Sequence, residues 1–143
     1  YVGDIVKINA HIIMDLLDKG YIPVVSSVGL DEEGHTYNIN ADTAAAEIAA
    51  QVQAENMILV SDIPGLLMDK EDESTLIPLV HVYEVKGLTD KGIIGGGMIP
   101  KIECCVRAIR ENVKKAVIID GRIPHSILIE MLSKDGIGTM FTR

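Results

Sequence analysis

The sequence has 143 residues, enough to bury a substantial core, and its length suggests one domain. It is acidic, with a net charge of -8, one Phe and no Trp. A nucleic-acid surface, an anionic membrane and base stacking on aromatic rings are therefore poor expectations.

Apolar residues at 5, 6, 8, 12, 13, 16 and 17 predict a helix from Ile5 to Lys19, closed by Gly20. Ile22 to Val28 is apolar and rich in β-branched residues, which predicts a buried strand with Pro23 near its start. Asp31-Glu32-Glu33-Gly34 then turns the chain into His35-Thr36-Tyr37, a hairpin leading to Asn38, Asn40 and Asp42. Those three short polar side chains alternate, so an extended segment would present them on one face. Thr43 onward is an alanine-rich helix, with Asn40 as its N-cap and Asp42 in the first turn, where a carboxylate suits the positive helix end.

Met57 to Asp62 is the second buried strand, followed by the turn Ile63-Pro64-Gly65-Leu66-Leu67. Strand, helix, strand is the grammar of a parallel sheet, whose ligands bind at the carboxyl ends of strands. Met68 to Pro78 is an acidic connection, and Tyr83 to Lys91 is a short helix. Gly95-Gly96-Gly97 precedes a helix with Pro100 and Lys101 in its first turn, an arrangement that lets backbone N–H groups and one cation approach an anion. The same residues also fit a flexible loop with a solvated lysine. Neither Gly-x-x-x-x-Gly-Lys-Ser/Thr nor Gly-x-Gly-x-x-Gly is present. The adjacent Cys104 and Cys105 lie within that helix, where neighbours point about 100° apart, so buried reduced thiols are expected rather than a disulfide or metal ligands. Ala116 to Asp120 is the third buried strand. Pro124 to Ser133 is an amphipathic helix with Ile127, Leu128, Met131 and Leu132 on its apolar side, and a glycine turn at Gly136 to Gly138 starts the last strand. No apolar run reaches the ~20 residues of a membrane helix and no signal peptide is expected, which points to a cytoplasmic protein with no membrane partner.

Five segments carry a resemblance: Tyr37-Asn38-Ile39-Asn40-Ala41-Asp42, Ser61-Asp62-Ile63-Pro64-Gly65-Leu66-Leu67, Gly96-Gly97-Met98-Ile99-Pro100-Lys101, Asp120-Gly121-Arg122-Ile123-Pro124-His125 and Gly136-Ile137-Gly138-Thr139. In this order they closely resemble the C-terminal half of the acetylglutamate kinases, a branch of the amino-acid kinase family. The resemblance implies a three-layer α/β/α sandwich around a mainly parallel sheet, the carbamate-kinase-like fold. It is expected to be incomplete at the N-terminus, because the family's first lysine and its glycine-rich loops do not precede Tyr1. Residues 1–56 would be the remaining part of the amino-acid-substrate domain and 57–143 the ATP-binding domain.

The activity implied is transfer of the γ-phosphoryl of ATP, with Mg2+, to the side-chain carboxylate of N-acetyl-L-glutamate in arginine biosynthesis. Lys101 matches the lysine that neutralises the transferred group, and Asp42 the carboxylate that holds it. Asn38 matches a substrate contact, with Asn40 beside it. Asp62, Ile63, Pro64, Gly65, Leu66 and Leu67, with Ile93, Ile94 and Gly95, match the nucleotide pocket. Mg2+ would be held by phosphate oxygens and water, so no protein metal ligand is implied. Glu130, Gly136 and Gly138 resemble the ending of members inhibited by arginine. The full-length enzyme is expected to be a homo-oligomer and this chain alone inactive. Two alternatives remain open: another amino-acid kinase, acting on uridylate, aspartate or carbamate, and a nucleotide-binding or regulatory fragment with no activity of its own.

Overall fold

The centre of the fold is a pair of continuous apolar runs, β3 (Asn56–Ser61) and β5 (Lys115–Asp120), which lie parallel in register from Asn56 beside Lys115 to Ser61 beside Asp120. On the other side of β5, β6 (Thr139–Thr142) pairs antiparallel, and β4 (Leu79–His81) pairs parallel with β6. The sheet order is β3-β5-β6-β4. Along β5, Ala116 and Ile118 enter the main core cluster, while Val117 and Ile119 point the opposite way and are buried as well. A strand covered on both faces needs layers on both sides. Helices α2 (Ala41–Gln51) and α4 (Met98–Arg110) contact each other and β3, and α5 (Ser126–Leu132) contacts β5. This is the α/β architecture expected, with a mixed, mostly parallel sheet. The structure, a computed structural model, describes residues 2–143.

The helix directions matter most for the site. α2 leads through residues 52–55 into β3, and α4 through residues 111–114 into β5. Each helix therefore runs back along its strand, and both helix N-termini lie at the edge where β3 and β5 end. Because β6 is antiparallel to β5, its first residues lie at that edge too, with Thr139 opposite Ile118. Among the described residues no helix is long and apolar enough to cross a membrane.

Several expectations need correction. The predicted strand Ile22 to Val28 is irregular through Ser27, and Val24 is 96% exposed. A strand exists only when another strand completes its ladder, and among the described residues no strand pairs with residues 22–27, where the Ser27 carbonyl accepts the Ile39 N–H just ahead of β1. Only β1 (Val28–Leu30) forms, antiparallel to β2 (Thr36–Asn38), as the expected hairpin around Asp31 to His35. The first helix, α1 (His11–Asp18), begins later than Ile5; the Asn9 Oδ1 accepts the His11 N–H just ahead of it, an Asx arrangement that competes with helix. Strand β4 was not foreseen. The helix before the glycines is α3 (Val85–Asp90). In α5 the expected apolar side, Ile127, Leu128, Met131 and Leu132, faces solvent, and only Ser126 is buried. Both cysteines are free and buried, as expected.

Candidate functional site

The α2–α4 contact is built from small residues. Asp42, Ala45, Ala46 and Ala49 share one face of α2, and Lys101, Cys104, Cys105 and Ala108 share one face of α4, at i, i+3, i+4, i+7 spacing. With Ala46, Cys105 and Ala108 almost wholly buried, the helices approach closely enough for a short ion pair across their first turns. The Lys101 Nζ donates to Asp42 Oδ2 at 2.8 Å, with side chains only 26% and 24% exposed. One turn further in, Thr43 Oγ1 lies 3.9 Å from Cys104 Sγ. Further along the two helices, the Arg107 guanidinium, its side chain 54% exposed, comes within 2.5 Å of Glu47 Oε1, whose side chain is 11% exposed. The approach is not aligned for a hydrogen bond, and that oxygen has no hydrogen-bond partner among the described residues. Arg107 Nε also reaches Glu111 Oε1 at 3.4 Å.

Asn40 caps α2 as expected: its Oδ1 accepts the Thr43 N–H at 3.0 Å and the Thr43 hydroxyl at 3.2 Å. That fixes the amide orientation and leaves the Asn40 NH2 facing outward. Asn38 is exposed at the end of β2. Gly95 to Gly97 form the turn ahead of α4, whose first turn carries Lys101.

The second part of the edge is the turn after β3. Ser61 Oγ donates to Asp62 Oδ1 at 3.3 Å, and Asp62 is exposed. Gly65 is buried at φ +140°, and a Cβ there would stand 2.6 Å from Thr139 Oγ1, so only glycine fits. The Leu66 N–H donates to that same hydroxyl at 2.8 Å, and Thr139 in turn donates to the Ile77 carbonyl at 2.8 Å. Leu66 and Ile94 lie in the core cluster, so these two positions offer a ligand their backbone. Ile63, Pro64, Leu67, Ile93 and Gly95 are partly exposed. Beside this turn Arg122 clasps Asp120 through Nε and Nη2, at 2.9 Å to Oδ1 and 2.7 Å to Oδ2. Those bonds hold the Asp120 carboxyl below its ordinary value and the guanidinium above its own.

A third cluster gathers around Glu130. Its Oε2 accepts the Ile137 N–H at 2.8 Å and the Gly138 N–H at 3.2 Å, so the Gly136 to Gly138 turn wraps the carboxylate. Gly138 itself abuts the Ile118 carbonyl too closely for any Cβ. A cavity of about 950 Å3 lies elsewhere, between the segment from Gly3 to Asn9, the β1 region and the Ala44–Ile48 side of α2. It is apolar and has none of the chemistry of the Lys101–Asp42 pair.

Residues 1–120 match the sequence pattern of the amino acid kinase family. The chain belongs to that family. It is 53% identical to the acetylglutamate kinase of Clostridium kluyveri over 139 residues, 97% of this chain and 49% of that protein. It is 55% identical to the acetylglutamate kinase of Clostridium beijerinckii, over 98% of this chain and 50% of that protein. The chain thus spans about half the length of the curated relatives it matches. Among solved structures, N-acetylglutamate synthase from Neisseria gonorrhoeae, complexed with coenzyme A and L-arginine, superposes with a TM-score of 0.89 at 26% identity, over 99% of this chain and 32% of that one. The resemblance read from the five segments is borne out.

Within this member of the amino acid kinase family, the edge brings Asp42, Lys101 and the glycine turn together, and sets the Asp62–Leu67 turn against Thr139. Three participants were not singled out from the sequence: Thr139, and the Glu47–Arg107 pair. Glu47 was visible as the one charge inside the alanine run of α2, and Thr139 as the hydroxyl closing the Gly-Ile-Gly-Thr segment.

Proposed function

We propose that the whole protein is an ATP-dependent N-acetyl-L-glutamate kinase of arginine biosynthesis and that this chain supplies its nucleotide half. The observation carrying this reading is the 2.8 Å Lys101–Asp42 pair, held at two helix N-termini beside a glycine turn and the carboxyl ends of two parallel strands. In the reaction the bond from the γ-phosphorus to the bridging oxygen breaks, ADP leaves, and a carboxylate oxygen of the acceptor bonds the phosphorus. The acceptor is itself the nucleophile, so what the protein must supply is alignment and cationic charge. Lys101 bears that charge toward the transferred group, and Asp42 fixes where the ammonium stands. Asn38 and the outward amide of Asn40 meet the acceptor. The exposed backbone of the Asp62–Leu67 and Ile93–Gly95 segments frames the nucleotide.

Mg2+ fits this arrangement as an ion held by phosphate oxygens and water. Among the described residues the one group of three potential ligands close enough to share a cation is Asp31, Glu33 and His35, on the β1–β2 turn. Mg2+ supplies charge neutralisation when bound with the nucleotide.

Residues 1–56 belong by function to the acceptor-binding part and 57–143 to the ATP-binding part, although the alanine face of α2 packs into the core of the latter. The exposed apolar surface of the first segment, with Val6 at 99%, supports further polypeptide covering it in the whole protein. Two free buried thiols support a reducing, cytoplasmic setting. Glu130 Oε1 and the 136–138 turn are the reading's candidate arginine effector site, and assembly as a homo-oligomer completes it. The test is a phosphoryl-transfer assay of the full-length protein with N-acetylglutamate, aspartate, uridylate and carbamate, beside this chain alone. Preference for N-acetylglutamate, with no turnover by this chain, is expected; preference for another acceptor overturns the reading.

A further inference from the structure

A carboxylate is expensive to bury unless it is well paired, and breaking up such a pair harms a protein more than replacing both partners with apolar groups. Glu47 breaks the small-residue pattern of α2 in order to place a carboxylate at the α4 contact, 11% exposed and short of hydrogen bonds. Stability does not account for that choice, because an alanine there would simply extend the small-residue surface of Ala44, Ala45, Ala46, Ala49 and Ala50 around it. What the ion pair does provide is register. Alanine and cysteine surfaces are smooth, so two helices packed through them slide along or roll about each other at little cost. The Lys101–Asp42 contact stands at one end of this interface, and Glu47–Arg107 stands five residues along α2 and six along α4, about 8 Å further along by helical rise. Two ionic rungs define a line where one rung defines only a point. Arg107 is steadied from its own helix by Glu111 at 3.4 Å.

We propose that Glu47 and Arg107 are positioning residues for phosphoryl transfer: they lock the register of α2 against α4, and through Asp42 they set where the Lys101 ammonium stands. The inference rests on the kinase reading above. Neither residue touches the reacting groups, so their effect is on turnover rather than on nucleotide affinity. A misplacement of the order of 1 Å at the ammonium lowers a rate by up to about 100-fold.

The experiment compares Glu47→Gln, Arg107→Lys and the paired Glu47→Gln/Arg107→Met change in the full-length protein, each also in an Asp42→Asn background. The paired change removes both charges at near-constant volume and keeps the protein folded, checked by its circular dichroism spectrum and Tm. The expected result is a 10- to 100-fold fall in kcat for the paired variant with the KM for ATP within twofold, partial recovery in Arg107→Lys, and no further fall when Asp42 is already Asn. A merely structural pair would lower Tm and leave kcat and the coupling to Asp42 untouched. A folded paired variant with unchanged kcat overturns the proposal, as does a fall that adds fully to that of Asp42→Asn. Should the unaltered protein phosphorylate none of the acceptors, the kinase reading itself fails, an outcome distinct from either.

Discussion

Replacing Thr139 by valine is the sharpest probe of the nucleotide turn, because the swap keeps the shape and removes one hydroxyl. That hydroxyl accepts the Leu66 N–H and donates to the Ile77 carbonyl, both at 2.8 Å, and Thr139 has no exposed surface. Leu66 is 2% exposed, so its N–H loses its partner without gaining water, which costs about 1–3 kcal/mol. The Ile77 carbonyl belongs to a half-buried residue and recovers part of its loss from solvent, adding up to about 1 kcal/mol. The total, roughly 1–4 kcal/mol, corresponds to a Tm fall of about 2–16 °C for a chain of this size. Thr139→Ser keeps the hydroxyl and forfeits only a methyl group, about 1 kcal/mol. Calorimetry of the three proteins, with hydrogen exchange at the Leu66 amide, measures both the global and the local cost. A Tm for Thr139→Val within 1 °C of the unaltered chain, with the Leu66 amide equally protected, would refute this account of the turn.

Lys101→Ala in the full-length protein should lower kcat by about 10²–10³ while the KM for N-acetylglutamate changes little, since the cation acts on charge in the transition state; steady-state kinetics decides, and an unchanged kcat removes Lys101 from the machinery. Asp42→Asn should also reduce turnover while leaving the circular dichroism spectrum intact. The Arg122 hydrogen bonds hold the folded Asp120 carboxyl below its ordinary 3.8, so the clasp stabilises fully above about pH 5 and fades as pH falls through the lowered value. The Tm difference between the chain and Asp120→Asn should therefore be largest near neutrality and shrink below about pH 4. Glu130→Gln should weaken any inhibition by arginine by at least about tenfold, as losing a charged hydrogen-bond partner does. A flat arginine titration of the unaltered protein removes that effector site.

The elements legible in the sequence are those whose cause is local. β3 and β5 announce themselves as continuous apolar runs, α2 by its cap and alanines, and α4 by its stripe and the glycines before it. Ile22 to Val28 has the same local signature as β3, yet a ladder needs a second strand, which no periodicity can supply. β4 is three residues long beside Pro78, below what a pattern can register. In α5 the spacing located the helix, but its expected apolar side faces solvent, because what a helix meets is decided by the fold. The site divides in the same way. Asp42 and Lys101 are 59 residues apart, and only the resemblance of ordered segments joined them. Thr139 and the Glu47–Arg107 pair act through tertiary contact alone, and isolated residues of these types are ordinary on any helix or strand.

The neighbouring thiols of α4 make the helix that carries Lys101 its own reporter. Cys105 has no exposed surface and Cys104 is 9% exposed, and burial lifts both above the usual thiol range, so little thiolate meets solvent while the helix is packed. A labelling reagent can therefore reach Cys105 only as fast as α4 parts from α2 and the sheet. The rate of modification in native buffer becomes a clock for that opening, read without a probe attached anywhere near the chemistry. A ligand that grips the N-terminus of α4 must slow the clock, and one that binds elsewhere leaves it running at its own pace.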